Sequence, residues 1–195
     1  LTSQLNNTFP SSGLWSHECF ALAAYGLNTD TATADAGLID CQTNGLYAAE
    51  YSHWHAYLQA RIYFLYSSQS DFFPGRMSTD AEDAVVEMMW DWASPICDID
   101  HADPASINFV WESENHDLQM WVSLWGAAHI FADHPYYSTL TYADGSTPAE
   151  MAAEFDEYFK AWLRDRSLKG LLVEVASPTY SKYTLNTLYN LADFA

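Results

Sequence analysis

The chain has 195 residues, of which 49% are hydrophobic and 16% aromatic, a composition typical of a folded protein with a sizeable core. Its 26 acidic residues against 7 Lys and Arg give a formal net charge of -19 at pH 7. This charge argues against nucleic acid and anionic membranes as partners, because both are polyanions. No apolar run is long enough to span a bilayer.

The first part of the sequence predicts two helices separated by a long loop. Ser16 is placed to cap a short helix that runs through Tyr25 and ends near Gly26. Residues 28–45 are rich in Thr, Asp, Ala and Gly, and we expect them to form a loop. Residues 47–66 have apolar side chains nearly all round a helical projection, which predicts one long, largely buried helix.

A capping box of Thr79 and Glu82 predicts the start of the next helix, because each side chain can satisfy a free backbone amide of the other residue. This helix runs to Ala93, just before a proline. A polar loop follows it. The apolar periodicity then resumes and predicts a helix from about Glu114 to Ala132.

A second capping box, formed by Thr147 and Glu150, opens a helix that is predicted to end near Lys169. Residues 171–179 are predicted to be extended. A last helical pattern begins near Tyr180 and still continues where the sequence stops. With no convincing strand pattern anywhere, the sequence predicts an all-α fold.

Residues 1–195 are predicted to form a single helical domain, because no linker or low-complexity segment interrupts the helices. The chain stops on an apolar helical pattern without a cap or a polar tail. We therefore expect this domain to be part of a larger helical array, completed by a C-terminal segment or by a second chain.

The composition indicates a secreted protein. The pI is about 4.3, Lys is scarce, and Tyr, Trp, Ser and Thr are common. A glycosylation sequon at residues 6–8 agrees with secretion. Cys19, Cys41 and Cys97 leave at least one cysteine without an intramolecular partner, and a Cys19–Cys41 disulfide is possible but is not established by the sequence.

The stretch Trp111–Trp121, WESENHDLQMW, concentrates polar residues at a predicted helix start. Capping preferences alone explain its serine and its acidic residues. They do not explain why Asn115 and His116 stand next to each other beside a tryptophan. A zinc site would need partners such as His129 or His134. The 13-residue step from His116 to His129 does not suit one helix face, and no HExxH motif occurs, so no metal is predicted.

A second motif, EVASPTY at Glu174–Tyr180, opens the last predicted helix. The combination of SENH at one helix start and E..SPTY at a later one resembles polysaccharide lyases with an (α/α) toroid, the alginate-lyase and heparinase-type families. The resemblance covers roughly residues 45–195. It implies antiparallel helix pairs that form an incomplete toroid, with Asn115, His116 and Tyr180 as catalytic residues.

The same resemblance implies β-elimination on a polysaccharide that contains uronic acid. Trp111, Arg164, Arg166 and Glu174 are the candidate substrate-binding residues. Arg164 and Arg166 would supply local positive charge, although basic residues at a helix end also complement the helix dipole without any function. Elimination requires neither a metal nor an organic cofactor, so none is expected.

The chemistry explains these residue types. The proton at C5 of a uronate becomes acidic only if the adjacent carboxylate is neutralised, which the Asn115 amide with a cationic neighbour can do by hydrogen bonding. A deprotonated Tyr180 or a neutral His116 can then accept the proton. The same group can return a proton to the leaving glycosidic oxygen.

The sequence is also compatible with two other interpretations of the function. A glycoside hydrolase on the same kind of toroid would use carboxylates as its acid and base, with Glu112, Glu114, Asp117 or Glu174 as candidates. A noncatalytic helical binding or scaffold module would need no reactive group. In that case the polar residues at the helix starts only form hydrogen bonds within the protein, and the tryptophans belong to the core.

Overall fold

The computed structural model describes residues 13–169 and 177–195. Within these ranges the chain is helical and contains no strand, which confirms the predicted all-α fold. The chain divides into two compact units, residues 1–92 and 93–195. The incomplete toroid, and a single domain that forms part of it, stay predictions. None of the described helices is both long and apolar enough to cross a membrane.

The first unit is built from short helices around an apolar core. In chain order these are α1 (Leu14–Leu27), α2 (Thr31–Thr43), α3 (Leu46–Glu50), α4 (His53–Tyr66) and α5 (Thr79–Ala93). The last residue of α5 is counted with the second unit. Helix α1 packs against α2 and α4. Leu14, Tyr25, Leu38 and Ile62 are fully buried between these helices.

Two predictions for the beginning of the chain are wrong. Helix α1 starts after Gly13, so Ser16 lies inside the helix and is not its cap. Residues 28–45, predicted to be a loop, contain α2. The segment is mostly polar, so its narrow apolar stripe did not predict a helix. Packing of that stripe against α1 outweighs the weak helix propensity of Thr, Asp and Gly. The stripe consists of Ala34, Gly37, Leu38 and Cys41.

The single helix predicted over residues 47–66 is also wrong, because the chain breaks at Tyr51 and Ser52. Ser52 is extended, with φ -156°, and its carbonyl accepts the first hydrogen bonds of α4. The break leaves the Tyr51 hydroxyl able to donate to Gln59 Oε1 at 2.9 Å. This side-chain contact depends on the fold and left no signal in the apolar periodicity.

The second unit is a helical hairpin with a further helix against it. It contains α6 (Glu114–Asp133), α7 (Pro148–Lys169) and α8 (Tyr180–Phe194), with short 3-10 turns at Ile99–Ala102, Pro104–Ser106 and Tyr137–Thr139. Trp125, Phe131, Met151 and Phe155 are buried in its core. The bounds predicted for these three helices agree with the structure to within a residue or two.

Two contacts, one at the start of α6 and one near the middle of both helices, show that α6 and α7 run antiparallel. Arg166 near the end of α7 lies 3.8 Å from Glu114 at the start of α6. Toward the other end, Trp125 Nε1 donates to Asp156 Oδ1 at 2.8 Å. The pairing brings the beginning of α6 next to the end of α7, where the candidate site lies.

The two predicted capping boxes have different outcomes. In the second, Thr147 N and Oγ1 both donate to Glu150 Oε2, and Glu150 N donates back to Thr147 Oγ1, which confirms it. The first is wrong. Ser78 caps α5 by accepting from Ala81 N, while Glu82 accepts two hydrogen bonds from Ser68. Glu82 therefore stabilises the loop that precedes α5.

The extended segment predicted at residues 171–179 lies mostly outside the described residues.

All three cysteines are free thiols in the structure. Cys41 and Cys97 are buried and Cys19 is half-buried. Burial, together with the nearby acidic residues Glu18, Asp40 and Glu50, raises the pKa of Cys41 to about 12. This thiol is therefore protonated and unreactive at neutral pH.

Candidate functional site

A pocket lies between the start of α6, the second half of α7 and the segment before α6. It encloses about 270 Å³, including space that is open to solvent. Its walls combine charged side chains with aromatic ones: Phe109, Val110, Glu114, Asp117, Leu118, Trp121, Tyr158, Trp162 and Arg166.

Helical periodicity explains which α6 residues reach the pocket. Glu114, Asp117, Leu118 and Trp121 follow one another at steps of three, one and three residues, which places all four on one face of α6. Asn115 is the next residue after Glu114, about 100° further round the helix. It consequently lies on another face and does not line the pocket.

Arg166 supplies the positive charge of the pocket. Its guanidinium lies 3.8 Å from Glu114, and its Cζ lies 5.3 Å from the centre of the Trp162 ring. The Glu114 side chain is only 3% exposed and that of Arg166 is 17% exposed. The contact is longer than a hydrogen bond, and Arg166 Nε has no hydrogen-bond partner in the structure. Because Nε is buried, an anionic group can reach this guanidinium only through its terminal nitrogens.

Asp117 holds the entrance of the pocket in place. Its carboxylate accepts from the backbone amides of Trp111 at 2.6 Å and Glu112 at 3.2 Å. These bonds fix the segment that carries Phe109 and Trp111, whose rings stack 6.0 Å apart with 27° between their planes. Both residues are 65% exposed. Two large rings held at the surface beside a charged pocket form a platform suited to an apolar ligand face.

Tyr158 faces the same pocket from α7. Burial and, to a smaller extent, the negative charge of Asp117 raise its pKa to about 12, against the opposing effect of Arg166. Its phenol therefore keeps its proton at neutral pH and can donate a hydrogen bond. It is poorly suited to act as a base.

Of the predicted pair, Asn115 lies in the interior and His116 lies at the surface. Asn115 is 1% exposed, and its Oδ1 accepts from Ser113 Oγ at 2.8 Å. The His116 side chain is 38% exposed, with Nδ1 3.9 Å from Glu112. His116 is thus accessible from solvent, whereas a substrate can reach the Asn115 amide only if its surroundings open.

Asn115 is part of a polar seam along α6. Asn115, Gln119 and Ser123 lie one helical turn apart and are each at most 1% exposed. Gln119 Nε2 donates to the carbonyl of Tyr183 in α8 at 3.5 Å. Packing between α6 and α8 therefore accounts for the burial of these polar side chains.

The same contact brings the starts of α6 and α8 close together. Along the helix axes, Asn115 lies about 6 Å from Gln119 and Tyr180 lies about 5 Å from Tyr183. Both predicted catalytic positions are therefore within roughly one turn of a single contact. Tyr180 is 49% exposed, so its ring is accessible. A common cleft for Asn115, His116 and Tyr180 stays a prediction.

The predicted substrate-binding residues are only partly brought together. Arg166 lines the pocket, and Trp111 stands at its entrance, stacked on Phe109. Arg164 is exposed and does not line the pocket. Glu174 lies outside the described residues.

Sequence reasoning missed several residues of the pocket. Phe109 and Tyr158 gave no motif. Trp121 was assigned to the core only under the noncatalytic interpretation; its ring is partly exposed and packs 4.9 Å from the His101 ring. A usable signal did exist: Glu114, Asp117, Leu118 and Trp121 share the helical spacing of one face. The α7 residues carried no comparable signal, because only the antiparallel packing brings them to α6.

Within the described ranges, no three His, Cys, Asp or Glu side chains are placed to hold a metal ion together. Comparison of the chain with protein-family models, with curated proteins and with solved structures finds no match.

Proposed function

We propose that the protein is a carbohydrate-active enzyme that cleaves a uronic-acid polysaccharide by β-elimination. The observation that carries this proposal is the contact between Gln119 and Tyr183, which brings the start of α6, with Asn115 and His116, close to Tyr180 at the start of α8. The (α/α) toroid lyases that the sequence resembles use these residue types at two helix starts.

The adjoining pocket supports a carbohydrate ligand. Its aromatic walls and the Phe109–Trp111 platform suit the apolar faces of sugar rings, and Arg166 offers donors to a carboxylate. Glu114 neutralises part of this positive charge. A sugar carboxylate that displaces Glu114 from Arg166 would gain a charge-assisted hydrogen bond.

In this proposal Tyr180 and His116 perform the proton transfers. One of them, deprotonated, takes the proton from C5 of the uronate, and the electron pair forms the double bond between C4 and C5. The glycosidic bond at C4 then breaks, and its oxygen receives a proton. Asn115 would stabilise the negative charge that develops on the uronate carboxylate, once its buried amide becomes accessible.

The test is to incubate the full chain with alginate, glucuronan, hyaluronan and heparin-type chains. Elimination yields an unsaturated uronate, which absorbs ultraviolet light. We expect Tyr180→Phe to reduce the rate of its formation by at least about 100-fold, the lower range of a lost acid–base group. Tyr189→Phe is the matched control, since Tyr189 lies on the same helix and is 55% exposed.

Two further results would decide the roles within the site. Asn115→Ala is expected to raise the activation barrier by about 3 kcal/mol if the amide stabilises developing charge. Its circular dichroism must match that of the wild type, since Asn115 is buried. Formation of unsaturated product at the wild-type rate with both Tyr180 and His116 replaced would overturn the proposal.

One observation favours glycoside hydrolysis as the second candidate. Glu114 and Asp117 both line the pocket, as a carboxylate pair should. However, Asp117 already accepts two backbone amides, and Glu114 already faces Arg166. Saturated reducing ends as products, abolished by Glu114→Gln, would establish hydrolysis in place of elimination.

A further inference from the structure

The first unit contains a row of contacting aromatic rings, none of which lines the pocket described above. The ring centres of Trp15 and His55 are 6.0 Å apart, those of His55 and Tyr51 are 5.9 Å apart, and those of Tyr51 and Trp92 are 6.0 Å apart. We call these four side chains the aromatic row. Trp15 is 42% exposed, whereas Tyr51 and Trp92 are partly buried, so the row is most accessible at Trp15.

A buried carboxylate orients the histidine of this row. Glu18 is fully buried, and its Oε2 lies 2.8 Å from His55 Nδ1. Gln59 Nε2 donates to the other carboxylate oxygen at 3.0 Å, and the Tyr51 hydroxyl donates to Gln59 Oε1. Two row members, Tyr51 and His55, are thus held by one hydrogen-bonded chain that ends at Glu18.

When Glu18 is ionised, this arrangement selects the tautomer of His55. When Nδ1 donates to Glu18, the other nitrogen of the neutral imidazole, Nε2, carries a lone pair and is an acceptor. Nε2 has no hydrogen-bond partner in the structure and is not sealed from solvent, while the side chain as a whole is 10% exposed. His55 therefore presents one oriented acceptor beside the exposed Trp15 ring.

The charges near the row disfavour an anionic ligand. Glu50 accepts from Leu14 N directly before Trp15, and Asp91 accepts from the hydroxyl of Tyr47, whose ring packs 6.4 Å from that of Tyr51. These carboxylates add to the overall net charge of -19. A ligand for the row should therefore be uncharged, offer an apolar face to the rings and carry a donor for Nε2.

Chains of neutral pyranose sugars meet these three requirements. Their ring faces present C–H groups to aromatic side chains, and their hydroxyls donate hydrogen bonds. We propose that the aromatic row is a second glycan-binding site, in which an uncharged sugar stacks on Trp15 and donates a hydroxyl proton to His55 Nε2. This site goes beyond the proposed elimination and does not require it.

A binding titration tests the site directly. The full chain is titrated with three uncharged probes, namely the hexasaccharides of cellulose, mannan and chitin, and with hexamannuronate as the anionic probe. We expect saturable binding of at least one uncharged probe and weaker binding of hexamannuronate. Trp15→Ala should weaken binding by about tenfold, equivalent to 1.4 kcal/mol, whereas Phe72→Ala, which removes another exposed ring of the same unit, should leave binding unchanged.

A nuclear magnetic resonance measurement tests the part played by His55. In histidine-labelled protein, the His55 Nε2 resonance should move when the bound sugar is added, and the Trp15→Ala variant should require more sugar for the same movement. Circular dichroism checks that this variant is folded, which the exposure of Trp15 leads us to expect.

Several outcomes would overturn the second site. They are the absence of binding to all three uncharged probes, equal affinity of the wild type and Trp15→Ala, or preferential binding of tetramethylammonium, which would mark a cation site instead. Repeating the titration with Tyr180→Phe separates the two proposals. Loss of elimination with unchanged binding supports both, and binding without any unsaturated product from the wild type refutes elimination alone.

Discussion

Glu18 is a carboxylate whose surroundings oppose its charge. Burial raises its pKa from 4.5 to about 7. This effect outweighs the hydrogen bonds with His55 and Gln59 and the charge interaction with His55, all of which lower the pKa. The titratable groups that face it are Cys19 beside it, Cys41 on α2, and Tyr51 and His55 across from α1. Folding therefore favours the protonated form of Glu18.

The sign of the resulting pH dependence follows from this shift. Between about pH 4.5 and 7 the folded state holds a proton that the unfolded state has released, so the contribution of Glu18 to the free energy of unfolding falls as the pH rises. A shift of this size corresponds to about 3 kcal/mol. Below pH 4.5 Glu18 is neutral in both states, and the effect is absent.

We expect Glu18→Gln to remove this pH dependence while keeping side-chain volume and hydrogen-bonding capacity. Urea denaturation at pH 5 and pH 8 should show that the variant gains stability relative to the wild type at pH 8. Glu154→Gln, an exposed change on α7, is the control and should behave like the wild type. A wild type and a Glu18→Gln variant with parallel pH profiles would refute the prediction.

At the scale of the helix, the two predicted capping boxes share a sequence pattern and differ in structure. Thr147 and Glu150 satisfy each other at the start of α7, whereas Glu82 turns to Ser68 and leaves the capping of α5 to Ser78. The local pattern permits a box in both places. The loop before α5 competes for Glu82, and that competition depends on the fold.

The difference predicts unequal effects for the same substitution. Thr147→Ala removes a capping hydroxyl and should lower the free energy of unfolding by about 1 kcal/mol. Thr79→Ala should change it by less than about 0.5 kcal/mol, because Thr79 is the first residue of α5 and not its cap. Urea denaturation of the two variants side by side is the measurement, and an equal loss of stability would contradict this assignment.

At the scale of the molecule, the net charge of -19 opposes an anionic substrate. Of the basic residues near the end of α7, Lys160 is paired with Glu157, Arg164 is exposed, and Arg166 lines the pocket. Lys182 on α8 is also exposed. Local positive charge at the pocket therefore rests on Arg166, and the surrounding negative field acts against it.

If the substrate is a polyuronate, salt should help binding. Raising the ionic strength from about 10 mM to about 150 mM shortens the Debye length from about 30 Å to about 8 Å and screens long-range repulsion more than the contact with Arg166. We expect KM to fall with kcat little changed. Sodium and potassium chloride should act alike, and a KM that rises with salt would show that attraction to local cations dominates.

The sequence by itself determined the all-α fold, the bounds of α6, α7 and α8, and the capping box of α7, because apolar periodicity and local capping are short-range properties. It missed α2, whose helix depends on packing against α1, and the break before α4, where Tyr51 bonds to Gln59. The motif residues Asn115, His116 and Tyr180 were visible in the sequence. Only the tertiary structure decided that Asn115 is buried and that Tyr158, Trp162 and Arg166 meet α6, because antiparallel packing joins residues far apart in the chain.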